Sequence, residues 1–589
     1  MSKSGSKSGF VDVWPLSPLQ QGLLFHALYE ETGTGVYVIQ MTLDLRREVD
    51  VETLREAVRI VLRRHDNLRA SFRNRKTGEP VQVILREVEP EWAEFDLSGL
   101  PEADRQAELD RLLADDRART FDLAQPPLRF ALIRLAEQRY QFLFTAHHIL
   151  LDGWSMPLVL GELFALYNSG GDDSVLPPVM PYKEYLVWLA RQDRGEAERA
   201  WRRALDGLTE PTLVAPVDPS RVPVLPTMLL EDVPAELTAK VVAQARTLGL
   251  TMNSVVQTVW AAVLGQLTGR DDVVFGGTVS GRPPELPGSE SMIGLFINTQ
   301  PVRARLDPTA GLGEVARDLQ DRQSDLQPYQ YLGLAEIQRL TGLGELFDAM
   351  AVFENYPVDA DNLERSAEGI GAVSAGSVDA THYPLSLASV LRGDELTIRL
   401  DYQPDLFDEA TARALVARMV RLLEVFATDP HRPTARIDLL TADERDRVLT
   451  GFNHTGGPRP TGTVVSLFEE HAEREPDAPV LVDAAGGTVS YAELNLRANR
   501  LAHELIARGA GPERLVGIAL PRSADLLVAM LAVVKAGAAY LPIDPDYPAE
   551  RIGWMLTDAS PAALLTTSVV AEALPGTDVP LLALDAPAT

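Results

Sequence analysis

Between Tyr140 and Tyr167 a strand, two adjacent histidines and an apolar helix follow one another without a spacer. Tyr140 to Thr145 alternates as a strand. Ser155 can cap a helix that carries Pro157 in its first turn. That helix bears Leu158, Val159, Leu160, Leu163, Phe164, Leu166 and Tyr167, apolar nearly all round, and a helix of this kind is buried. Between strand and helix lie His147, His148, Asp152 and Gly153. Neighbouring side chains on extended backbone point to opposite faces. One histidine can then be held by the protein while the other looks into a cavity.

Both sides of this stretch mix strands and helices without a strict strand–helix–strand period, which predicts α/β sandwiches rather than a dinucleotide-binding sheet. Strands are expected over Val36 to Leu45, Leu128 to Leu135, Asp272 to Pro283, Ala349 to Phe353 and Leu396 to Asp401. Helices are expected over Asp50 to Arg64, Asp104 to Thr120, Met252 to Leu267 and Asp408 to Thr428. His65, at the end of the first of these, reads as a capping or core histidine. The breaker cluster Asn168 to Asp173, with Pro177-Pro178 beyond it, marks a boundary between two halves. Thr428 to Pro433 stops the second half, and a linker with a short charged helix, Ala442 to Leu449, follows. From Val464 onward a hairpin, a long helix and a strand–helix–strand unit begin a different α/β region. The expected divisions are a flexible lead-in over 1–9, two lobes over 10–175 and 176–436, a linker over 437–462 and a further α/β segment over 463–589.

Composition narrows the function. A chain of 589 residues exceeds one core and should divide into about three or four units. A net charge of −29 argues against nucleic acid as a main partner. The absence of cysteine excludes disulfides, thiolate metal sites and a cysteine nucleophile. No apolar run approaches the ~18 residues needed to cross a bilayer, so neither a membrane role nor a signal sequence is expected and the cytoplasm is the expected compartment. Rival motifs are weak. The serine of Gly277-Thr278-Val279-Ser280-Gly281 stands one place late for a nucleophile elbow. Gly311-Leu312-Gly313 and Gly369-Ile370-Gly371 read as isolated turns.

For the histidine loop the residues alone leave three readings. A metal site would need His147, His148 and Asp152 to converge, and adjacent histidines diverge. A structural role would have them satisfy buried polar groups. A catalytic role would use an imidazole near its ordinary pKa for proton transfer, with the Gly153 N–H open to close approach.

His147-His148-Ile149-Leu150-Leu151-Asp152-Gly153 matches the His-His-x-x-x-Asp-Gly signature of condensation domains in nonribosomal peptide synthetases. Other motifs resemble that family in the right order. They are Ser17 to Gln20 with Phe25-His26, Arg64-His65 through Leu68-Arg69 to Phe72, and Tyr182 to Tyr185 with Trp188. Ile293 to Thr299, Gln327 to Tyr331 and Thr381 to Leu385 follow. Beyond the linker, Val489 to Leu494 with Ala498-Asn499, and Lys535 to Asp544, resemble the first two core motifs of an adenylation domain. The phosphate loop, adenine motif and catalytic lysine of that family, and a carrier-protein serine, have no counterpart here. The resemblance thus implies an incomplete adenylation region without ATP chemistry, whose sheet edges would be unpaired.

The resemblance implies two chloramphenicol-acetyltransferase-like lobes in a V-shaped pseudodimer. It implies amide formation between a donor aminoacyl or peptidyl thioester and the α-amine of an acceptor aminoacyl thioester. Both would arrive on phosphopantetheine arms of an upstream and a downstream peptidyl carrier protein. No cofactor or metal would be bound by the domain itself, and the chain would act as a monomer within a larger multidomain synthetase of antibiotic or siderophore type. His148 would take the amine proton or orient the amine, and the Gly153 N–H would bind the donor carbonyl. His147 would be structural, as would Asp152 paired with Arg282. Trp154, Ser155 and Asn298 would line the substrate tunnel. An epimerase or recruitment relative, or a free-standing acyltransferase using coenzyme A esters, remains the alternative.

Overall fold

The computed structural model describes residues 9–29, 37–216, 218, 221, 224–354, 372–378, 381–457, 460–482 and 487–586. Most of the lead-in expected over 1–9, and the turn expected at Gly369-Ile370-Gly371, lie outside them. The chain divides into two units, Met1–Val448 and Leu449–Thr589. No single helix among the described residues is long and apolar enough to cross a membrane.

In chain order the strands of the first unit begin with β1 (Phe10–Trp14), β2 (Val38–Leu45), β3 (Ala70–Asn74), β4 (Pro80–Leu85) and β5 (Glu91–Asp96). They continue with β6 (Leu128–Ala136), β7 (Arg139–His147), β8 (Thr227–Val233), β9 (Asp272–Val279) and β10 (Asn298–Arg305). The last four are β11 (Ala349–Glu354), β12 (Ala372–Val378), β13 (Leu385–Arg392) and β14 (Glu395–Tyr402). A five-stranded sheet, in the order β12-β2-β7-β6-β5, carries the first lobe, and a six-stranded sheet, β10-β9-β11-β13-β14-β8, the second.

The first sheet is covered on both faces because its central strands are apolar on both. Phe130, Leu132, Phe142 and Phe144 join one core with residues of the helices Val51–Arg64 and Ser155–Asn168. Ile133 and Leu135, on the alternate positions, meet Leu109 of the helix Glu102–Ala118. That helix is less amphipathic in practice than its sequence suggests, since Leu109 is its one buried residue. In the second sheet the period of two divides core from cavity. Ala349, Ala351, Leu385, Ile398 and Leu400 pack into the helical core, whereas Met350, Val352, Ser386, Ala388, Arg399 and Asp401 border a cavity.

The lobes exchange parts. β12, from the second half, pairs antiparallel with β2 and completes the first lobe's sheet. Tyr182, Tyr185 and Leu186, and Met292, Ile293, Leu295 and Phe296, belong to the first lobe's core although they follow the breaker cluster.

The second unit holds a hairpin, β15 (Pro479–Val482) with β16 (Thr488–Ser490). Four parallel strands follow, β17 (Leu515–Ile518), β18 (Ala539–Pro542), β19 (Ala563–Thr566) and β20 (Leu581–Ala583), in the order β18-β17-β19-β20. Ala498, Ala502 and Leu505 of the helix Tyr491–Ala507 and Ala529, Ala532 and Val533 of Ala524–Lys535 build its core.

Candidate active site

The histidine loop leaves β7 at the strand's last residue. His147 is buried, and its Nδ1 accepts the N–H of Ile149 at 3.1 Å. Burial, with the His148 imidazole beside it, pushes His147 down to about 3, so it stays neutral and serves the fold of the loop. The N–H of His148 donates to the carbonyl of Tyr37 at 2.9 Å, one step beyond the Val38–His147 pair of the β2–β7 ladder. From the other side, Gln20 donates through Nε2 to the carbonyl of Ile149 at 2.9 Å and is itself bonded to Gln82. Gln20 of the Ser17–Gln20 motif, itself bonded to Ser17, thus holds the histidine loop.

Asp152 is wholly buried and fully used. Oδ1 accepts the Ser155 N–H at 2.9 Å, the Ser155 hydroxyl at 2.7 Å and Arg282 Nη2 at 3.2 Å, while Oδ2 accepts the Phe296 N–H at 3.0 Å. Arg282 is anchored further by the carbonyls of Ser289 and Met292 and lies over the ring of Phe296, 4.0 Å from its centre. Burial lowers the arginine's pKa and Asp152 opposes that shift. The Asp152 N–H donates to the carbonyl of Gly294, and the hydroxyl of Tyr182 to that of Leu295 at 2.6 Å. One buried aspartate therefore ties the loop to the Arg282 turn and to the Met292–Phe296 segment.

Three sequence expectations change here. Ser155 does not cap the helix: it is the first helical residue, and Asp152, three positions earlier, supplies the oxygen that meets its N–H. Nor does Ser155 line a tunnel, because it is wholly buried with its hydroxyl shared among Asp152, Gly294 and Arg282. The indole N–H of Trp154 donates to the carbonyl of Glu290, and Trp154 is likewise not part of the cavity wall. A short hydroxyl next to a buried aspartate and arginine is drawn into their network, which spacing alone does not reveal.

The cavity, about 1040 Å³, is bordered by His148, Gly153 and Asn298 together with residues of both lobes. Asn298 donates through Nδ2 to the carbonyls of Gln330 and Leu332, both at 2.9 Å, which holds that loop to the cavity wall. His147, Asp152 and Arg282 do not border it. An imidazole and a glycine backbone beside a helix start thus border the cavity, while the groups behind them are locked.

Among the wall residues that the sequence did not assign to the site are His26, Tyr37 and His382. His26 and His382 lie with ring centres 4.4 Å apart, and the Tyr37 hydroxyl is hydrogen-bonded to His382 Nδ1. His26 and His382 stand inside recognised motifs, whereas Tyr37 is found only through its ladder position opposite His148.

A family model for the condensation domain matches residues 11–449, and one for AMP-binding enzymes matches residues 468–586. A linear gramicidin synthase of Brevibacillus parabrevis is 39% identical over 583 residues, which is 97% of this chain and 11% of that protein. Surfactin synthase subunit 3 of Bacillus subtilis (strain 168) is 35% identical over 572 residues, 96% of this chain and 45% of that one. The chain thus spans less than half the length of these curated relatives. Among solved structures, a four-domain nonribosomal peptide synthetase bound to AMP and glycine superposes with a TM-score of 0.78 at 21% identity, covering 99% of this chain and 45% of that one. The starter condensation domain of rhizomide synthetase, in complex with C8-CoA, gives 0.61 at 21% identity over 73% of this chain and 98% of that one.

Proposed function

Since this chain belongs to the condensation-domain family of nonribosomal peptide synthetases, we propose that its two-lobed unit joins a donor thioester to an acceptor amine as an amide. The observation that carries this reading is the division of the histidine loop. His148 and Gly153 border the cavity shared by both lobes, whereas His147 and Asp152 are withdrawn from it.

In this reading the donor aminoacyl or peptidyl group and the acceptor aminoacyl group enter on phosphopantetheine arms of two carrier proteins. The acceptor nitrogen attacks the donor thioester carbonyl. The C–N bond forms, the C–S bond breaks, and the departing sulfur receives the proton that the amine gives up. A neutral amine is already a good nucleophile, so much of the rate comes from holding the two chains in line. His148 orients the amine and accepts its proton. The N–H of Gly153 meets the carbonyl oxygen as it gains charge. Asn298 fixes the wall along which one chain lies, and the Asp152–Arg282 pair holds the loop in place. The second unit belongs with an adjoining adenylation activity of a larger synthetase.

The test is reconstitution with two carrier proteins loaded from a panel of amino acids, read by mass spectrometry of the tethered product and chiral chromatography of the released donor. An amide-linked dipeptide on the acceptor carrier supports the reading. Epimerised donor without a dipeptide, or acylation only from a coenzyme A ester, would replace it with a different reaction.

A further inference from the structure

Tyr37 joins the His148 loop to the opposite lobe. Its carbonyl accepts the His148 N–H at 2.9 Å, and its hydroxyl is hydrogen-bonded to His382 Nδ1, 345 residues further along the chain. His382 is itself held in place. Its carbonyl accepts from Gln403 Nε2 at 3.0 Å, its ring lies tilted against that of Tyr383 with centres 4.0 Å apart, and the neighbouring Thr381 hydroxyl is bonded to that of Ser386 at 2.6 Å. The ring of His26 lies against that of His382 with centres 4.4 Å apart.

The backbone of Tyr37 supplies the reason for this arrangement. Its φ is +67°, in the left-handed region that bulky residues avoid. An aromatic residue stays there only when its surroundings hold it. The ladder bond to His148 leads into β2 just beyond this residue, and the bond from the hydroxyl to His382 fixes the far end of the side chain to the second lobe. Released from His382, Tyr37 would relax toward negative φ, and its carbonyl would swing away from the His148 N–H.

We propose that His382 is a positioning residue for His148, acting through Tyr37 as a brace between the lobes. The inference rests on the reading of His148 given above. It assigns a role in the reaction to a residue of the second lobe that has no place in the Asp152–Arg282 network. Burial, with His26 beside it, pushes His382 down to about 3, so the brace is made by a neutral imidazole throughout the working pH range.

The test uses the full chain with two loaded carrier proteins, the amino-acid pair being the one that gives most product with the wild type. Tyr37→Phe removes only the hydroxyl and should lower kcat about tenfold while leaving KM and Tm near wild type, since misplacing a reacting group by about 1 Å can cost roughly a hundredfold. His382→Leu should give the same loss. The Tyr37→Phe/His382→Leu double variant should be no worse than either single change, because one bond is being broken in all three. His382→Asn, whose carboxamide oxygen can replace Nδ1 as acceptor, should recover most of the rate. Wild-type kcat in Tyr37→Phe, a rise in KM alone, or losses that multiply in the double variant would each overturn the proposal. If His382→Leu does not fold, Tyr37→Phe and His382→Asn decide it. The parent reading fails separately: His148→Ala with wild-type turnover removes it, whereas an inactive His148→Ala beside an unaltered Tyr37→Phe removes only the brace.

Discussion

Arg282 Nη2 stands 3.2 Å from Asp152 Oδ1, across 130 residues of sequence, with the two side chains 4% and 0% exposed. An ion pair so enclosed contributes little net stability against an apolar pair of the same shape, but its half-removal leaves a charge buried alone. Arg282→Leu should therefore lower the unfolding free energy by about 3–5 kcal/mol. Urea unfolding measures this. A loss below about 1 kcal/mol would mean that Asp152 is held by its N–H and hydroxyl donors alone.

Gly281 precedes that arginine with φ +59°, and a Cβ placed on it would stand 1.8 Å from the carbonyl oxygen of Phe296. Gly393, in the turn between β13 and β14, has φ +60° with nothing within 4 Å. Gly393→Ala should cost only the left-handed penalty, about 1–2 kcal/mol. Gly281→Ala adds a backbone clash and should shift the Arg282 turn, costing more than twice as much or preventing folding. Thermal melts of the two variants side by side make the comparison, and equal losses would count against the close packing of this turn.

Acid should weaken the fold through the histidines. His147 titrates at about 3 in the folded chain and near 6.5 when unfolded, so the unfolded state takes up the proton first as pH falls. The contribution is intact above about pH 6.5 and is lost progressively between there and pH 3, reaching about 2 kcal/mol at pH 5. His382 acts in the same direction. His147→Asn, which can still accept the Ile149 N–H, should flatten the dependence of Tm on pH between 7 and 5. An unchanged slope would show that His147 is charged or exposed in the folded state.

Much of this was legible in the chain because the local signals agreed with the packing. The apolar helix after the loop is buried along Met156, Val159, Leu160, Leu163 and Phe164. The helix expected over Asp50 to Arg64 carries Leu54, Ala57, Val58, Val61 and Leu62 inward. His65, expected as a cap or core residue, ends that helix 2.8 Å from Glu162. What stayed hidden depends on contacts between distant segments. Nothing local predicts that β12 completes a sheet begun by β2, since each strand would look the same paired elsewhere. Ser155 has the character of a helix cap, and only the nearness of Asp152 and Arg282 shows why it is drawn inside instead. Tyr37 escapes a reading of motifs because its place is set by strand register and by an unusual φ.

The most direct measurement of the account is single-turnover dipeptide formation by His148→Ala beside wild type, with both carrier proteins loaded and the product followed by mass spectrometry. The variant should fold with wild-type Tm, since His148 borders the cavity and its ladder bond is made by the backbone. It should still bind both carriers and form dipeptide at least about a hundredfold more slowly. Wild-type rates from a folded His148→Ala protein would contradict the account.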